Sequence, residues 1–317
     1  MRAVRFRRPG GPEQVLVDDV PDAGDPRGDE VLVRVAASSI NGTDLGLRRG
    51  GMPAARWGWK PFPLGFDLAG TVERCGPDVT AFAPGDQVTA LLGHGGGAQA
   101  ELVRVRQGRA ALAPASVSLV HACALPLAGL TALQALHGCA HLHSRPKGAR
   151  VLVIGAAGGI GCFAVQLAAA AGARVTGIAR SSTLPAVAEL GAHKVLAREE
   201  WDPAGAEARW DVVIDTPGSV TAADARSLLA DRGVLVSTRP ISRDALLARV
   251  RPGLLGRGRT YTAVMTSARS QDLARLARLV DAGRLRIVVD SVHDVEHAPE
   301  AHRRAEAHPV GKVVVRF

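Results

Sequence analysis

A glycine-rich turn at residues 156–161 carries the clearest chemical signal in this chain. It reads AAGGIG, follows the apolar run ARVLVI and precedes the helix-like run CFAVQLAAAAG. In such a strand–turn–helix unit, glycines let a pyrophosphate approach the backbone, and the free N–H groups at the helix start favour the anion. The pattern therefore predicts a dinucleotide site, with a tight turn that binds nothing as the alternative. The predicted contacts are Ala156, Gly158, Gly159, Ile160 and Gly161.

The residues after the second strand of this unit indicate which dinucleotide binds. An enzyme that uses NAD offers an acid to the ribose hydroxyls about 20 residues beyond the first glycine. Here the strand ends in Arg180, Ser181 and Ser182 instead. A cation and two hydroxyls suit a 2′-phosphate, so the sequence predicts NADPH as the cofactor. The alternative is that Arg180 is a solvated surface arginine.

The elements around this turn alternate between strand and helix. Strand candidates follow at HKVLA, DVVID and GVLVS, separated by helix-like segments such as AADARSLLAD, and the helix QDLARLARLVDAG ends at Gly283. This alternation predicts an α/β fold with a parallel, doubly wound sheet.

The first 120 residues have a different texture. Short runs such as EVLVRVAA, LAGTVERC and AELVRV are punctuated by Gly, Pro and Asp, which is typical of an all-β domain with tight turns. The last segment, from LRIVVDSVHD to GKVVVRF, also has β character, and we expect it to return to the first domain.

Composition narrows the class of partners and the location. The chain has 317 residues, 47% of them hydrophobic, which allows two domains with separate cores. The net charge of +9 comes from singly scattered arginines, so we predict no nucleic-acid partner. Four cysteines without a CxxC pair and an N-terminus without a secretory signal predict a reduced, cytoplasmic chain.

The uncharged stretches 112–144 and 151–173 are predicted to be buried helix and strand rather than membrane spans.

Four stretches resemble the medium-chain dehydrogenase/reductase superfamily, specifically its zinc-free quinone oxidoreductase branch. They are SSINGTDLGLRRG (38–50), PLGFDLAGTVERCGPDVTAFAPGDQV (63–88), ALPLAGLTALQAL (124–136) and the AAGGIG turn. The endings AGRLRIVVDSV and AEAHPVGKVVVRF extend the resemblance to the C-terminus.

This resemblance implies a domain organisation and a class of partner. A GroES-like catalytic β domain is expected at 1–122, completed by 285–317, with a Rossmann NADPH-binding domain at 123–284. The substrate is expected to be a small molecule. A homodimer is expected through an edge strand of the Rossmann sheet, with GRTYTAVM as a contributor.

The resemblance also bears on zinc. Zinc-dependent relatives bind the catalytic metal through cysteine, histidine and cysteine, and the matching positions here are Asn41, Phe66 and Leu127, none of which is a normal zinc ligand. The segment TALLGHGGGAQAE stands where those relatives carry a four-cysteine lobe. No metal is therefore expected, and hydrogen-bond donors must meet charge on a carbonyl oxygen. Asn41 and Thr43 are the nearest donors by motif, and quinones or α,β-unsaturated carbonyls suit such a site.

Further roles are implied by the resemblance alone. Asp44 and Tyr261 join Asn41 and Thr43 as catalytic candidates, although Asp44 could stabilise a turn and Tyr261 could pack in the core. Thr131 is expected near the nicotinamide or, alternatively, within helix packing. Other expected cofactor contacts are Thr216, the run from Ser237 through Thr238 to Pro240, and Lys312.

An aromatic-rich stretch suggests the size of the substrate. Aromatic residues are only 3% of the chain, yet Trp57, Trp59, Phe62 and Phe66 fall within ten residues. They could form an apolar surface on which a bulky aromatic or polycyclic acceptor stacks. The alternative is a surface loop pinned to the β domain.

Two other functions stay open at the level of sequence. One is enoyl reduction or redox-neutral ring closure on a secondary-metabolite, polyketide-like intermediate. The other is a sensor or scaffold that binds NADPH without turnover.

Overall fold

A computed structural model describes residues 1–51, 61–93, 95–203, 205–206, 209–239 and 255–317. The chain forms two compact units, one made of 1–130 with 268–317 and the other of 131–267. The first is built mainly of antiparallel strands and the second around a parallel sheet, which confirms the predicted α/β class. The sequence-based domain boundaries at 122 and 285 stay a prediction.

The strands are numbered in chain order through the described residues. They span Arg2–Phe6 (β1), Val15–Asp19 (β2), Glu30–Ile40 (β3), Phe62–Pro63 (β4), Asp67–Cys75 (β5), Gln87–Leu91 (β6), Leu102–Arg106 (β7), Ala110–Leu112 (β8), Arg150–Ile154 (β9), Arg174–Ala179 (β10), Lys194–Ala197 (β11), Trp210–Asp215 (β12), Leu229–Ser237 (β13), Thr260–Ala263 (β14), Val289–Asp294 (β15) and Lys312–Arg316 (β16).

The α-helices are fewer than the strands in the described part of the chain. The α-helices are Gly42–Arg48 (α1), Leu119–Ala122 (α2), Pro126–Leu133 (α3), Gly159–Ala170 (α4), Leu184–Glu189 (α5), Ala222–Leu228 (α6), Ser270–Asp281 (α7) and Ala298–Glu306 (α8). Single turns of 3₁₀-helix lie at Pro12–Gln14, Gln107–Arg109, Leu142–Ser144, Ser181–Thr183 and Val295–His297, and a π-helical turn covers Gln134–Cys139.

Strand β3 organises the sheet of the first unit. It pairs antiparallel with β5, β7 and β16, and the sheet runs in the order β15-β16-β3-β5-β6-β8. Alternate residues Val31, Val33 and Val35 of β3 are buried in the core with Val72 and Val88, as the period of two along a strand requires. Because β16 pairs with β3 at Val313 and Ile40, the last strand of the chain lies beside the residues that precede α1.

The second unit contains a six-stranded parallel sheet in the order β11-β10-β9-β12-β13-β14. The order reverses between β9 and β12, which is the position where doubly wound sheets bind their ligands beyond the carboxyl ends of the strands. The helix predicted in AADARSLLAD was too long. Residue Leu228 ends α6 and Leu229 starts β13, because Leu229 adopts an extended backbone and pairs with Trp210.

Within the described residues, no helix combines the length and apolar character needed to span a bilayer. The uncharged stretch at 151–173 forms β9 and α4, whose side chains are largely buried in the second unit, as predicted.

Helix α1 is anchored by buried charged and titratable groups. The guanidinium of Arg48 is fully buried and bonds to the carbonyl of Gly10 and the carboxylate of Glu306 on α8. His302, also on α8, is fully buried, and its two ring nitrogens lack a hydrogen-bond partner among the described residues. Burial, followed by the nearby charge of Arg48, lowers the pKa of His302 to about 3.

This depressed pKa predicts a loss of stability in acid. Between pH 3 and 6.5 the unfolded chain binds a proton that folded His302 rejects, so the free energy of unfolding falls as the pH falls through this window. Relative to His302→Gln, the wild type should lose about 2 kcal/mol more between pH 7 and pH 5. Urea unfolding at both pH values measures this, with exposed His297→Gln as the control. Equal acid losses in wild type and His302→Gln would contradict the assignment.

Candidate active site

The glycine turn lies at the carboxyl end of β9 and leads directly into α4. Gly155 has a φ of 75°, and Gly158 is the N-cap of the helix. A β-carbon on Gly161 would meet the carbonyl oxygen of Gly155 at 2.1 Å, so only glycine allows this close turn. The backbone N–H groups of Gly159, Ile160 and Gly161 have no acceptor in the described part of the chain. Half-buried donors at a helix start, without acceptors, fit a pyrophosphate.

Two neighbouring strands bring hydroxyl groups to the same edge of the sheet. Thr216, after β12, donates from Oγ1 to the carbonyl of Ile154 at 2.9 Å and packs against Gly155. Thr238, after β13, donates to the carbonyl of Thr216 at 2.8 Å, and Ser237 is fully buried, its Oγ accepting from the N–H of Arg239. Thr216, Ser237 and Thr238 therefore lie together beside the glycine turn, whereas Pro240 lies outside the described residues.

The end of β10 contains an acid that sequence reasoning missed. Arg180, Ser181 and Ser182 are exposed as expected, but the N–H and Oγ of Ser181 donate to Oε2 of Glu199 at 3.2 and 3.0 Å. A hydrogen bond from its own backbone N–H, together with those from Ser181, lowers the pKa of Glu199. The sequence shows the acids in AREE, where Ala197 ends β11. Only the pairing of β11 with β10 shows that Glu199 lies beside Ser181.

Two further predicted residues are engaged inside the second unit. Thr131 is buried, and its hydroxyl lies 2.7 Å from the hydroxyl of Thr266. Tyr261 is buried in the core, and its hydroxyl donates to the carbonyl of Val220 at 3.1 Å. For Tyr261 this geometry favours the packing role over proton donation, because its proton is already committed.

In the first unit, Lys312 is buried against the residues that precede α1. Its Nζ donates to the carbonyl of Ile40 at 2.8 Å and to Oδ1 of Asn41, and it lies 3.7 Å from Oδ2 of Asp67. Lys312 is 4% exposed and Asp67 is 0% exposed. The expectation that Lys312 contacts the cofactor stays a prediction, but its ammonium group is occupied by three oxygen partners within this unit.

Asp67 completes the network as a carboxylate surrounded by donors. Its Oδ2 accepts from Ser39 Oγ at 2.6 Å and from Asn41 Nδ2 at 3.0 Å, and its Oδ1 accepts from the N–H of Leu127 at 3.0 Å. Burial raises the pKa of Asp67 and lowers the pKa of Lys312, and each charge opposes the shift of the other. Sequence reasoning missed Asp67 and Ser39. A single acid at the start of an apolar strand, together with the single lysine that starts β16, was the available signal.

Asp44 and Thr43 occupy the first turn of α1. The carboxylate of Asp44 is buried and accepts from the N–H groups of Asn41 at 2.9 Å and Gly65 at 2.7 Å. Burial raises the pKa of Asp44 to about 6. Thr43 is half-buried, and its hydroxyl makes no hydrogen bond within the described residues. A β-carbon on neighbouring Gly42 would meet no heavy atom of the described residues within 4 Å, so these residues leave open space at the start of the helix.

The predicted aromatic surface is described only in part. Phe62 packs its ring against buried Phe6 with centroids 5.6 Å apart, and Phe66 is buried. Trp57 and Trp59 lie outside the described residues.

The residues of this network do not fit a zinc ion. The amide nitrogen of Asn41 already donates to Asp67, and its oxygen already accepts from Lys312. Phe66 and Leu127 have no side-chain atom that can bind zinc, and the adjacent ammonium of Lys312 would repel a dication. Among the described residues, no group of three or more His, Cys, Asp or Glu side chains is arranged to hold a metal ion.

Comparisons with known proteins agree with this architecture. Residues 27–115 match the alcohol dehydrogenase GroES-like domain, and residues 190–315 match a domain described as zinc-binding dehydrogenase. A chloroplastic quinone oxidoreductase of Triphysaria versicolor is 31% identical over 99% of this chain and 98% of its own length. A mitochondrial NAD(P)H oxidoreductase of Mus musculus is 31% identical over 90% of this chain and 81% of its own length.

The solved structure of a quinone oxidoreductase from Coxiella burnetii superposes with a TM-score of 0.89 at 28% identity, covering 100% of this chain and 99% of that one. The chain therefore belongs to the medium-chain dehydrogenase/reductase superfamily of oxidoreductases, within its quinone oxidoreductase-like group. Because the two relatives are named for organelles, the cytoplasmic location stays a prediction.

The buried ion pair yields a stability prediction. Lys312→Met and Asp67→Asn should each cost about 3–5 kcal/mol, because each leaves the other group buried without its partner. The double variant should lose at least about 1.5 kcal/mol less than the sum, measured by urea unfolding. The exposed pair Arg316 and Asp294, on the neighbouring strand ends, is the control and should couple by less than about 1 kcal/mol. If the losses in the free energy of unfolding of the two single variants add up to that of the double variant, Lys312 and Asp67 do not stabilise each other.

The glycine turn yields a second stability prediction. Gly161→Ala should lower the thermal midpoint by about 5 °C or more, because the new methyl group collides with backbone atoms of the turn. Gly138→Ala is a matched control in the same unit, since its β-carbon would meet no heavy atom of the described chain within 4 Å. A melting temperature unchanged by Gly161→Ala would show that the turn is not as tight as described.

Proposed function

We propose that this protein is a zinc-independent, NADPH-dependent reductase of quinones or α,β-unsaturated carbonyls. The observation that carries the proposal is the buried network of Lys312, Asp67 and Asn41. In it, the amide of Asn41, which matches a metal-ligand position of zinc-dependent relatives, is hydrogen-bonded at both its oxygen and its nitrogen and lies beside a buried ammonium. The relatives named quinone oxidoreductase and NAD(P)H oxidoreductase, each 31% identical, support the same class of reaction.

The second unit is assigned to cofactor binding. The N–H groups of residues 159–161 would hold the pyrophosphate, and Arg180 would lie near the 2′-phosphate. A bound NADPH would supply the hydride. Thr216 and Thr238 fix the turn and the adjacent strand ends through their hydrogen bonds to backbone carbonyls.

The first unit is assigned to carbonyl polarisation. The hydrogen bonds of Asn41 favour different roles for Asn41 and Thr43, although the sequence predicted both as donors. Because the amide hydrogens of Asn41 point to Asp67 and to the carbonyl of Ser39, Asn41 is assigned a positioning role at the start of α1. The hydroxyl of Thr43 is assigned as the donor to the carbonyl oxygen. A delocalised oxyanion needs less external stabilisation than a localised alkoxide, so a single neutral donor suits quinones and enones better than simple ketones.

The acceptor is proposed to be bulky and aromatic or polycyclic, on the basis of the aromatic residues concentrated between 57 and 66 in the sequence. The homodimer is also retained as a proposal. Strand β14 lies at the edge of the six-stranded sheet, where its outer backbone groups could pair with a second copy.

The role of Thr43 is tested by a pair of isosteric changes. Thr43→Val should lower kcat/KM about 100-fold or more for a naphthoquinone, because a preorganised donor is worth roughly that factor. Thr43→Ser, which keeps the hydroxyl, should retain activity within about fivefold of wild type. Equal losses in both variants would assign Thr43 to packing rather than catalysis.

Metal independence and substrate class are tested together by steady-state oxidation of NADPH. Activity with a naphthoquinone should survive chelator treatment, since no residue set among the described residues fits zinc. The naphthoquinone should also be preferred over a short-chain enone and over simple ketones. Loss of activity on removal of a stoichiometric metal would overturn the zinc-free assignment, and absence of NADPH oxidation across the panel would favour the sensor or ring-closure alternatives.

A further inference from the structure

Ser181 and Glu199 form a hydrogen-bonded contact just beyond the ends of β10 and β11. Strands β10 and β11 pair in parallel, with Ala179 opposite Ala197. Two residues beyond each strand end, Ser181 and Glu199 therefore occupy matching positions, and Oε2 of Glu199 accepts both the N–H and the Oγ of Ser181. The neighbouring strand thus supplies a carboxylate where the end of β10 lacks one.

The location of this carboxylate matters for dinucleotide choice. In doubly wound nucleotide-binding sheets, the residues just after the second strand meet the adenosine ribose. A carboxylate there can accept hydrogen bonds from the two hydroxyls of an NADH ribose. The same carboxylate repels a 2′-phosphate and competes with it for the N–H and hydroxyl of Ser181.

Two arginines near Glu199 favour NADPH over NADH. Arg180 directly follows β10 and Arg198 directly follows β11, so each lies one residue before the Ser181–Glu199 contact, and both are exposed. Their positive charges favour a 2′-phosphate, so the edge carries opposing contributions to the choice of cofactor.

We propose that Glu199 is a specificity-determining residue that favours NADH and weakens the preference for NADPH set by Arg180 and Arg198. This inference rests on the proposed function, because it requires that the second unit binds a nicotinamide dinucleotide. Glu199 and Ser181 are both exposed, so their contact can open for a ligand without disturbing the core. On this proposal the protein binds both dinucleotides, and Glu199 sets the ratio of their affinities.

The test is direct titration of NADPH and NADH, followed by their fluorescence, with the full-length protein. Glu199→Gln removes the charge but keeps an oxygen acceptor for Ser181. The ratio of the NADH Kd to the NADPH Kd should rise about tenfold, which is the effect expected for one charge near an exposed anion site. Glu200→Gln removes the same charge one residue away and should leave the ratio within about twofold of wild type.

Each outcome separates this inference from the proposed function. A selective rise of the ratio in Glu199→Gln supports it. An unchanged ratio in Glu199→Gln, or an equal rise in Glu200→Gln, overturns the role of Glu199 while the proposed function stands. Failure of the wild type to bind either dinucleotide overturns both.

Discussion

The buried contact of Lys312 with Asp67 is the constraint on which the candidate site of the first unit depends. Removing two charges from water costs several kcal/mol per ion unless hydrogen bonds satisfy every remaining lone pair and proton. Here the oxygen and nitrogen partners come from β3, from the start of β5, from residue 127 and from β16. The register between these elements is therefore specified by chemistry as well as by packing.

The same network explains why an asparagine at position 41 is compatible with a reductase. Its amide joins the ammonium of Lys312 to the carboxylate of Asp67, and its backbone N–H is held by Asp44. These contacts fix the start of α1 and leave Thr43 as the side chain with an uncommitted hydroxyl in the described part of this turn. Under the proposed function, carbonyl polarisation by hydrogen bonding would replace polarisation by a metal.

Sequence reasoning predicted the features that local pattern determines. The βαβ unit around residues 156–161 and the α/β class are confirmed because apolar periodicity and glycine placement act over short distances. It missed Asp67 and Glu199, because each is defined by a partner at least 18 residues away across paired strands. It also extended α6 by three residues into β13. The residues LLAD favour a helix locally, but pairing with β12 places Leu229 in a strand.

On the proposed function, this chain transfers hydride to a conjugated carbonyl without a metal. The most direct measurement combines elemental analysis of the purified protein with mass spectrometry of the product formed from NADPH deuterated at the transferring position. We expect protein that holds less than about 0.1 equivalent of zinc to turn over at full rate with unlabelled NADPH. With the deuterated cofactor, an enone should give a product that carries deuterium on carbon, and a quinone should show an isotope effect on kcat/KM. Zinc at one equivalent per chain with turnover that disappears on its removal, or an enone product without deuterium, would contradict it.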